Sequence, residues 1–163
     1  MVGSQMEGKK RVTSLYFGGG TPSLLAPSEI ERFVEQVRSQ FDCSQLEEVT
    51  IEVNPDDITA EYVAELRKTS VNRISVGVQS LDDGALQFMG RRHSAVQAVE
   101  AVKRLQEAGY DNISVDLIFG IDGFCLGCYI VFCALLSCLI SLVLFVHFGF
   151  GLATNSVEDL ACS

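Results

Sequence analysis

Four short β-rich runs of this chain each end in residues able to hold a ligand. The first closes on Gly18-Gly19-Gly20-Thr21-Pro22-Ser23. Its three glycines let the backbone pass close to a ligand and leave N–H and C=O groups free to bind it. The second run carries Glu52 just before Asn54-Pro55, and the third ends in Gly77-Val78-Gln79-Ser80. The fourth holds Asp116 within Ser114-Val115-Asp116-Leu117-Ile118-Phe119-Gly120. A carboxylate among aliphatic strand residues costs free energy unless it is paired or meets a ligand. Taken singly, each feature reads equally well as a tight turn or a salt-bridged structural group. Their succession is the stronger signal. Arg91, Arg92 and His93 follow the third run, either as a solvated basic turn or as a guanidinium fork for a carboxylate. The glycine run is not a Walker loop, since no Lys-Ser/Thr follows at the right offset, and it lacks the third glycine of a dinucleotide fingerprint.

These residues need a frame that brings them together. Val12–Phe17, Val49–Val53, Arg73–Val78 and Ile113–Phe119 read as strands, with Ile74, Val76 and Val78 alternating in the third. Helices are expected between them. Pro27 precedes a Ser28/Glu31 capping box, and Ile30, Phe33, Val34, Val37 and Phe41 share one face. Thr59 caps a second helix carrying Val63 and Leu66, and Leu81–Met89 forms a short third. Ser94 and Gln97 form another capping box ahead of Val99, Val102 and Leu105, and Gly109 stops that helix. Strands alternating with helices imply parallel pairing, in half a barrel or one side of an open sheet. In both architectures ligands gather at the C-terminal strand ends, where the polar features lie.

Charge and composition narrow the function. The 163 residues carry 12 Lys+Arg against 21 Asp+Glu, a formal charge of −9. That balance repels phosphate backbones, so no nucleic-acid partner is expected. Met1–Arg11 has no apolar core segment and does not read as a signal peptide. With Cys43 as the one cysteine of residues 1–122, a reducing, cytoplasmic setting is expected.

The run Tyr16-Phe17-Gly18-Gly19-Gly20-Thr21-Pro22-Ser23-Leu24-Leu25 resembles a motif of radical S-adenosylmethionine (SAM) proteins related to oxygen-independent coproporphyrinogen III oxidase. The likeness continues in order through Thr50–Pro55, Asn72–Ser80, Gly90–Ser94 and Ala108–Gly120, and covers about residues 12–124. Ser80 after Gly77-Val78-Gln79, and the Gly90–Ser94 run, resemble the heme chaperone (HemW-type) branch more than the oxidase. The resemblance implies an α/β fold, a partial radical SAM (β/α) barrel of about four βα units. It implies that Gly19, Gly20 and Thr21 line a SAM site through their backbone, and that Glu52, Gln79, Arg91 and Asp116 offer polar contacts. It further implies SAM and a 4Fe-4S cluster as cofactors, with heme and heme-accepting proteins as partners. Intact relatives hold the cluster through a CxxxCxxC motif, and none precedes the glycines here. Cluster ligation needs thiolates, so radical chemistry is not expected of this chain. Open sheet edges imply weak stability for the 12–124 piece.

From Gly123 to Val157 no Asp, Glu, Lys or Arg occurs, and Cys125, Cys128, Cys133 and Cys138 cluster there. Residues 125–163 therefore read as a separate apolar tail, helical or disordered. As a helix, residues 124–150 span about 40 Å, enough for a bilayer. The cysteine spacing matches no zinc pattern. The composition fits translation of T-rich DNA, by frameshift or read-through, better than it fits an anchor. A membrane partner and a membrane-anchored location follow only if the segment is a genuine span. Two functions besides the SAM reading stay open here. One is a membrane-anchored binding protein without redox chemistry. The other is an α/β enzyme using Glu52 and Asp116 as acid and base, which would not need the glycine turn.

Overall fold

The computed structural model describes residues 9–119, 121 and 143–148. Its frame alternates strands and helices: β1 (Ser14–Phe17), α1 (Pro27–Gln40), β2 (Glu48–Val53), α2 (Ala60–Leu66), β3 (Arg73–Gln79), α3 (Asp83–Phe88), α4 (Ala95–Glu107) and β4 (Ile113–Phe119). Short 3-10 turns, Pro22–Leu24 and Pro55–Asp57, follow β1 and β2. The strands pair in parallel in their order along the chain. All the strand ends that carry the polar features therefore share one rim.

Register sorts the residues onto two faces. Glu52 lies opposite Ser75, and Ser75 opposite Ser114. Because side chains alternate along a strand, Tyr16, Thr50, Glu52, Ser75, Gly77, Ser114 and Asp116 fall on one face. The other face carries Val49, Ile51, Val53, Ile74, Val76, Val78, Ile113, Val115 and Leu117, all buried. These pack with Ile30 and Val34 of α1, Val63 and Leu66 of α2, and Ala98, Ala101, Val102 and Leu105 of α4. Every inner residue of β3 is buried, in keeping with its place between β2 and β4. The core thus lies between the sheet and its helices, and the opposite, polar face leads up to the rim.

Local chemistry sets the helix ends. Thr59 accepts from the Tyr62 N–H at 3.1 Å, and Ser94 and Gln97 form the full reciprocal box. Gly109 ends α4 at φ +87°, a left-handed conformation that favours glycine. Ser94→Ala should lower stability by about 1 kcal/mol, measured as a shift in the urea midpoint at unchanged slope. An unshifted midpoint would mean that the cap contributes nothing.

The Ser28/Glu31 box does not form. Pro27 occupies the first turn of α1 and Ala26 is its cap residue, without a side-chain bond. Ser28 thereby falls inside the helix. Glu31 turns instead to Ser70, accepting its N–H at 2.5 Å and its hydroxyl at 2.7 Å. Phe33, expected on the same helical face as Ile30 and Val34, is 53% exposed. The α1 stripe that meets the sheet is narrower than the sequence pattern, centred on Ile30 and Val34.

Part of the apolar tail departs from the expectation of helix or disorder. Val143–Phe148 forms a fifth strand, β5, paired in parallel with β4. Its β-branched and aromatic composition suits a strand, and β4 offers it an open hydrogen-bonding edge. The rest of the 125–163 segment, including its four clustered cysteines, lies outside the described residues. Among the described residues no helix is long and apolar enough to cross a membrane.

Candidate functional site at the strand ends

The rim encloses a cleft of about 150 Å³ lined by Gly20, Thr21, Pro22, Glu52, Val53, Asn54, Gly77, Gln79, Arg91 and Asp116. Six of the seven residues singled out from the sequence therefore meet around one space. The seventh, Gly19, faces a neighbouring apolar groove with Phe17, Leu25 and Phe33. Its backbone still serves the cleft, donating its N–H to Glu52 Oε2 at 3.0 Å. Gly19 and Gly20 sit at φ +81° and +85°, so the loop needs glycine at both positions.

Glu52 is anchored from two sides. Besides Gly19, the Tyr16 hydroxyl donates to Oε1 at 2.7 Å. Desolvation, then the hydrogen bond to Glu52 and its negative charge, push the Tyr16 phenol up to about 12. The phenol consequently stays protonated at neutral pH and remains a donor. Gly18 leaves the necessary room: a Cβ there would come within 2.5 Å of the Tyr16 ring and 2.8 Å of Glu52 Oε1.

Asp116 is held from the sheet itself. The Ser75 hydroxyl lies 3.2 and 3.1 Å from its two oxygens, and the Ser114 hydroxyl reaches Ser75 Oγ at 3.1 Å. Arg91 enters from the loop after α3. Its guanidinium Nε is buried and meets no hydrogen-bond partner among the described residues. A desolvated donor of this kind is costly, and an anionic group in the cleft would satisfy it.

Gln79 reaches the cleft through an unusual backbone. It has φ +67°, the only positive φ of a non-glycine residue among those described. The Ser80 N–H bonds back to the Val78 carbonyl at 2.8 Å, which closes a γ-turn of the strained hand. The sheet records the same irregularity: Val76 pairs with Val115 and Gln79 with Leu117, so β3 holds one extra residue.

Tyr16, Ser75 and Gly77 belong to the site but were not singled out in advance. Their parity was the available signal, since each lies on the same strand face as Glu52 or Asp116.

The radical SAM superfamily model matches residues 4–128. The chain belongs to the radical SAM superfamily. Among similar radical SAM proteins is the heme chaperone HemW of Lactococcus lactis, 41% identical over 70% of this chain and 30% of that protein. The mitochondrial radical S-adenosyl methionine domain-containing protein 1 of Danio rerio is 40% identical over 73% of this chain and 27% of its own length. The structure of Escherichia coli coproporphyrinogen III oxidase (HemN), a radical SAM enzyme, superposes with a TM-score of 0.69. It is 26% identical, over 83% of this chain and 32% of that one. The chain thus spans about a third or less of these relatives.

The two family cofactors fare differently against the residues present. The cleft has the polar lining that a zwitterionic nucleoside needs, with the buried Arg91 Nε awaiting an acceptor. A 4Fe-4S cluster does not fit the described residues. Cys43 is their one cysteine, and it lies on the α1–β2 connection, at the rim opposite the cleft. No group of three or more His, Cys, Asp or Glu among the described residues could hold a metal.

Proposed function

We propose that the rim cleft binds SAM, and that the chain is a radical SAM-like protein of the heme chaperone or coproporphyrinogen oxidase-like type. One observation carries this reading: Gly20, Thr21, Glu52, Gln79, Arg91 and Asp116, spread over 97 positions of sequence, line a single cleft. Charge supports it. The cleft sets two carboxylates against one guanidinium, a net charge of −1. SAM carries a sulfonium, an ammonium and a carboxylate, and so a net positive charge that complements it. Arg91 suits the ligand's carboxylate, while Glu52 and Asp116 suit its cationic groups and ribose hydroxyls. When bound with a cluster, SAM supplies radical chemistry. In this chain Gly19 and Tyr16 orient Glu52, Ser75 orients Asp116, and the backbone of Gly20 and Thr21 borders the ligand. Heme and heme-accepting proteins are the partners that the similar chaperones suggest.

Titration calorimetry of the full chain tests the reading. Saturable SAM binding is expected, tighter than that of S-adenosylhomocysteine, which lacks the sulfonium charge. The preference should shrink at high salt, because the cleft is open to screening. Absence of binding, or equal binding of both ligands, would overturn the assignment. Gly77→Ala offers a local probe. Its Cβ would fall 2.7 Å from Gln79 Nε2, the free end of a flexible side chain. Gln79 should yield, costing under about 1 kcal/mol of stability. SAM affinity should fall roughly 10-fold through loss of one hydrogen bond.

A further inference from the structure

His93 is buried, with only 2% of its side chain exposed, yet it does not line the cleft. Its Nε2 lies 3.0 Å from the Val78 carbonyl. A carbonyl only accepts, so Nε2 carries the proton and donates. Val78 O is the same oxygen that closes the γ-turn from Ser80 at 2.8 Å. One carbonyl therefore takes two hydrogen bonds, and it does so immediately before the strained Gln79. Non-glycine residues hold such conformations only where the surroundings over-determine them.

The other side of the ring lies beside the remaining rim loops without a hydrogen bond to them. Nδ1 lies 3.6 Å from Asp56 Oδ1, and Arg92 Nε pairs with Asp56 Oδ2 at 3.0 Å. The adjacent Asp57 accepts from the Ser23 hydroxyl at 2.6 Å, and Ser23 Oγ accepts the Asn54 N–H at 3.2 Å. Ser23 belongs to the glycine loop after β1, and Asp56 and Asp57 to the turn after β2. The polar cluster thus links the loops after β1 and β2, and Arg92 joins it to the segment that carries His93.

We propose that His93 is a positioning residue: its Nε2–H latches the strained turn that presents Gln79 to the cleft. Its contribution to SAM binding rests on the function proposed above; the latch itself does not.

Hydrogen–deuterium exchange of the peptide Val76–Asp82, without ligand, reads the turn directly. His93→Phe fills the space without a donor and should speed exchange there about 10-fold, the worth of one buried hydrogen bond. His93→Gln restores an amide donor and should stay within about 3-fold of the parent. A second background separates a latch from a packed core residue. Gln79→Gly adopts positive φ without strain, so there the His93→Phe effect should fall below about 3-fold. Unchanged exchange in His93→Phe, or the same fold-change in both backgrounds, would overturn the proposal. If His93→Phe does not fold, His93→Asn, whose amide is one bond shorter, replaces it against His93→Gln under the same criteria. SAM titration forms a separate arm, with affinity lost in His93→Phe and restored in His93→Gln. A parent chain that binds no SAM would sink the function proposed above while the exchange result still decides the latch.

Discussion

Replacing Glu52 with Leu is expected to abolish SAM binding, with an affinity loss of at least about 100-fold. The size follows from what the carboxylate does. It accepts from Gly19 N at 3.0 Å and from Tyr16 Oη at 2.7 Å, so its loss frees the glycine loop as well as removing a ligand contact. Charged hydrogen bonds are worth about 1.5–3 kcal/mol each, and two of them disappear together. The cleft would also change from a net charge of −1 to zero, erasing its preference for a cation. Glu52→Gln separates these effects. Its amide oxygen can still accept one hydrogen bond, so the loop should hold while the preference for SAM over S-adenosylhomocysteine vanishes. Calorimetry with both ligands checks this. Undiminished SAM binding by Glu52→Leu would show that the ligand lies elsewhere.

Ile74→Ala should cost about 2–5 kcal/mol of folding stability. Ile74 is fully buried on β3, the strand between β2 and β4, and joins the core beneath α2 and α4. The backbone on either side is hydrogen-bonded into the sheet and leaves little freedom to collapse into the void. Since native domains hold only about 5–15 kcal/mol in total, the change is a large share of stability. Urea unfolding of the full chain measures it, and a loss below about 1 kcal/mol would mean that this part of the core is loosely packed.

The frame was readable because it depends on local patterns. The β-branched runs at Val49–Val53, Arg73–Val78 and Ile113–Phe119 give strands with bounds shifted by a residue at most. The caps at Thr59 and Ser94 and the stop at Gly109 use chemistry confined to a few neighbouring residues. Three of the residues expected at the ligand, Glu52, Gln79 and Asp116, line the cleft because parallel pairing forces their strand ends onto one rim, and Arg91 joins them from the loop after α3.

What escaped the sequence depends on distant contacts or on subtle backbone geometry. Positive φ at Gln79 has no compositional mark, since the residue that betrays such turns is glycine. His93 read as a weak signal because its hydrogen-bond partner, Val78, stands 15 positions away. The failed Ser28 cap shows one local rule yielding to another, with Pro27 fixing where the helix begins. Phe33 satisfied the helical period and still faces outward, beside the groove lined by Phe17 and Leu25. The strand at Val143–Phe148 was hidden within an apolar run too uniform to show a period.

Sheet neighbours here are also sequence neighbours, from β1 through β5. A ligand seat made in this way is assembled like a row of stakes, each set by its own βα unit. Altering the tip of one stake leaves the spacing of the others intact. The architecture therefore allows recognition to be revised corner by corner, through substitutions at single strand ends, while the apolar layer below continues to be selected for packing alone.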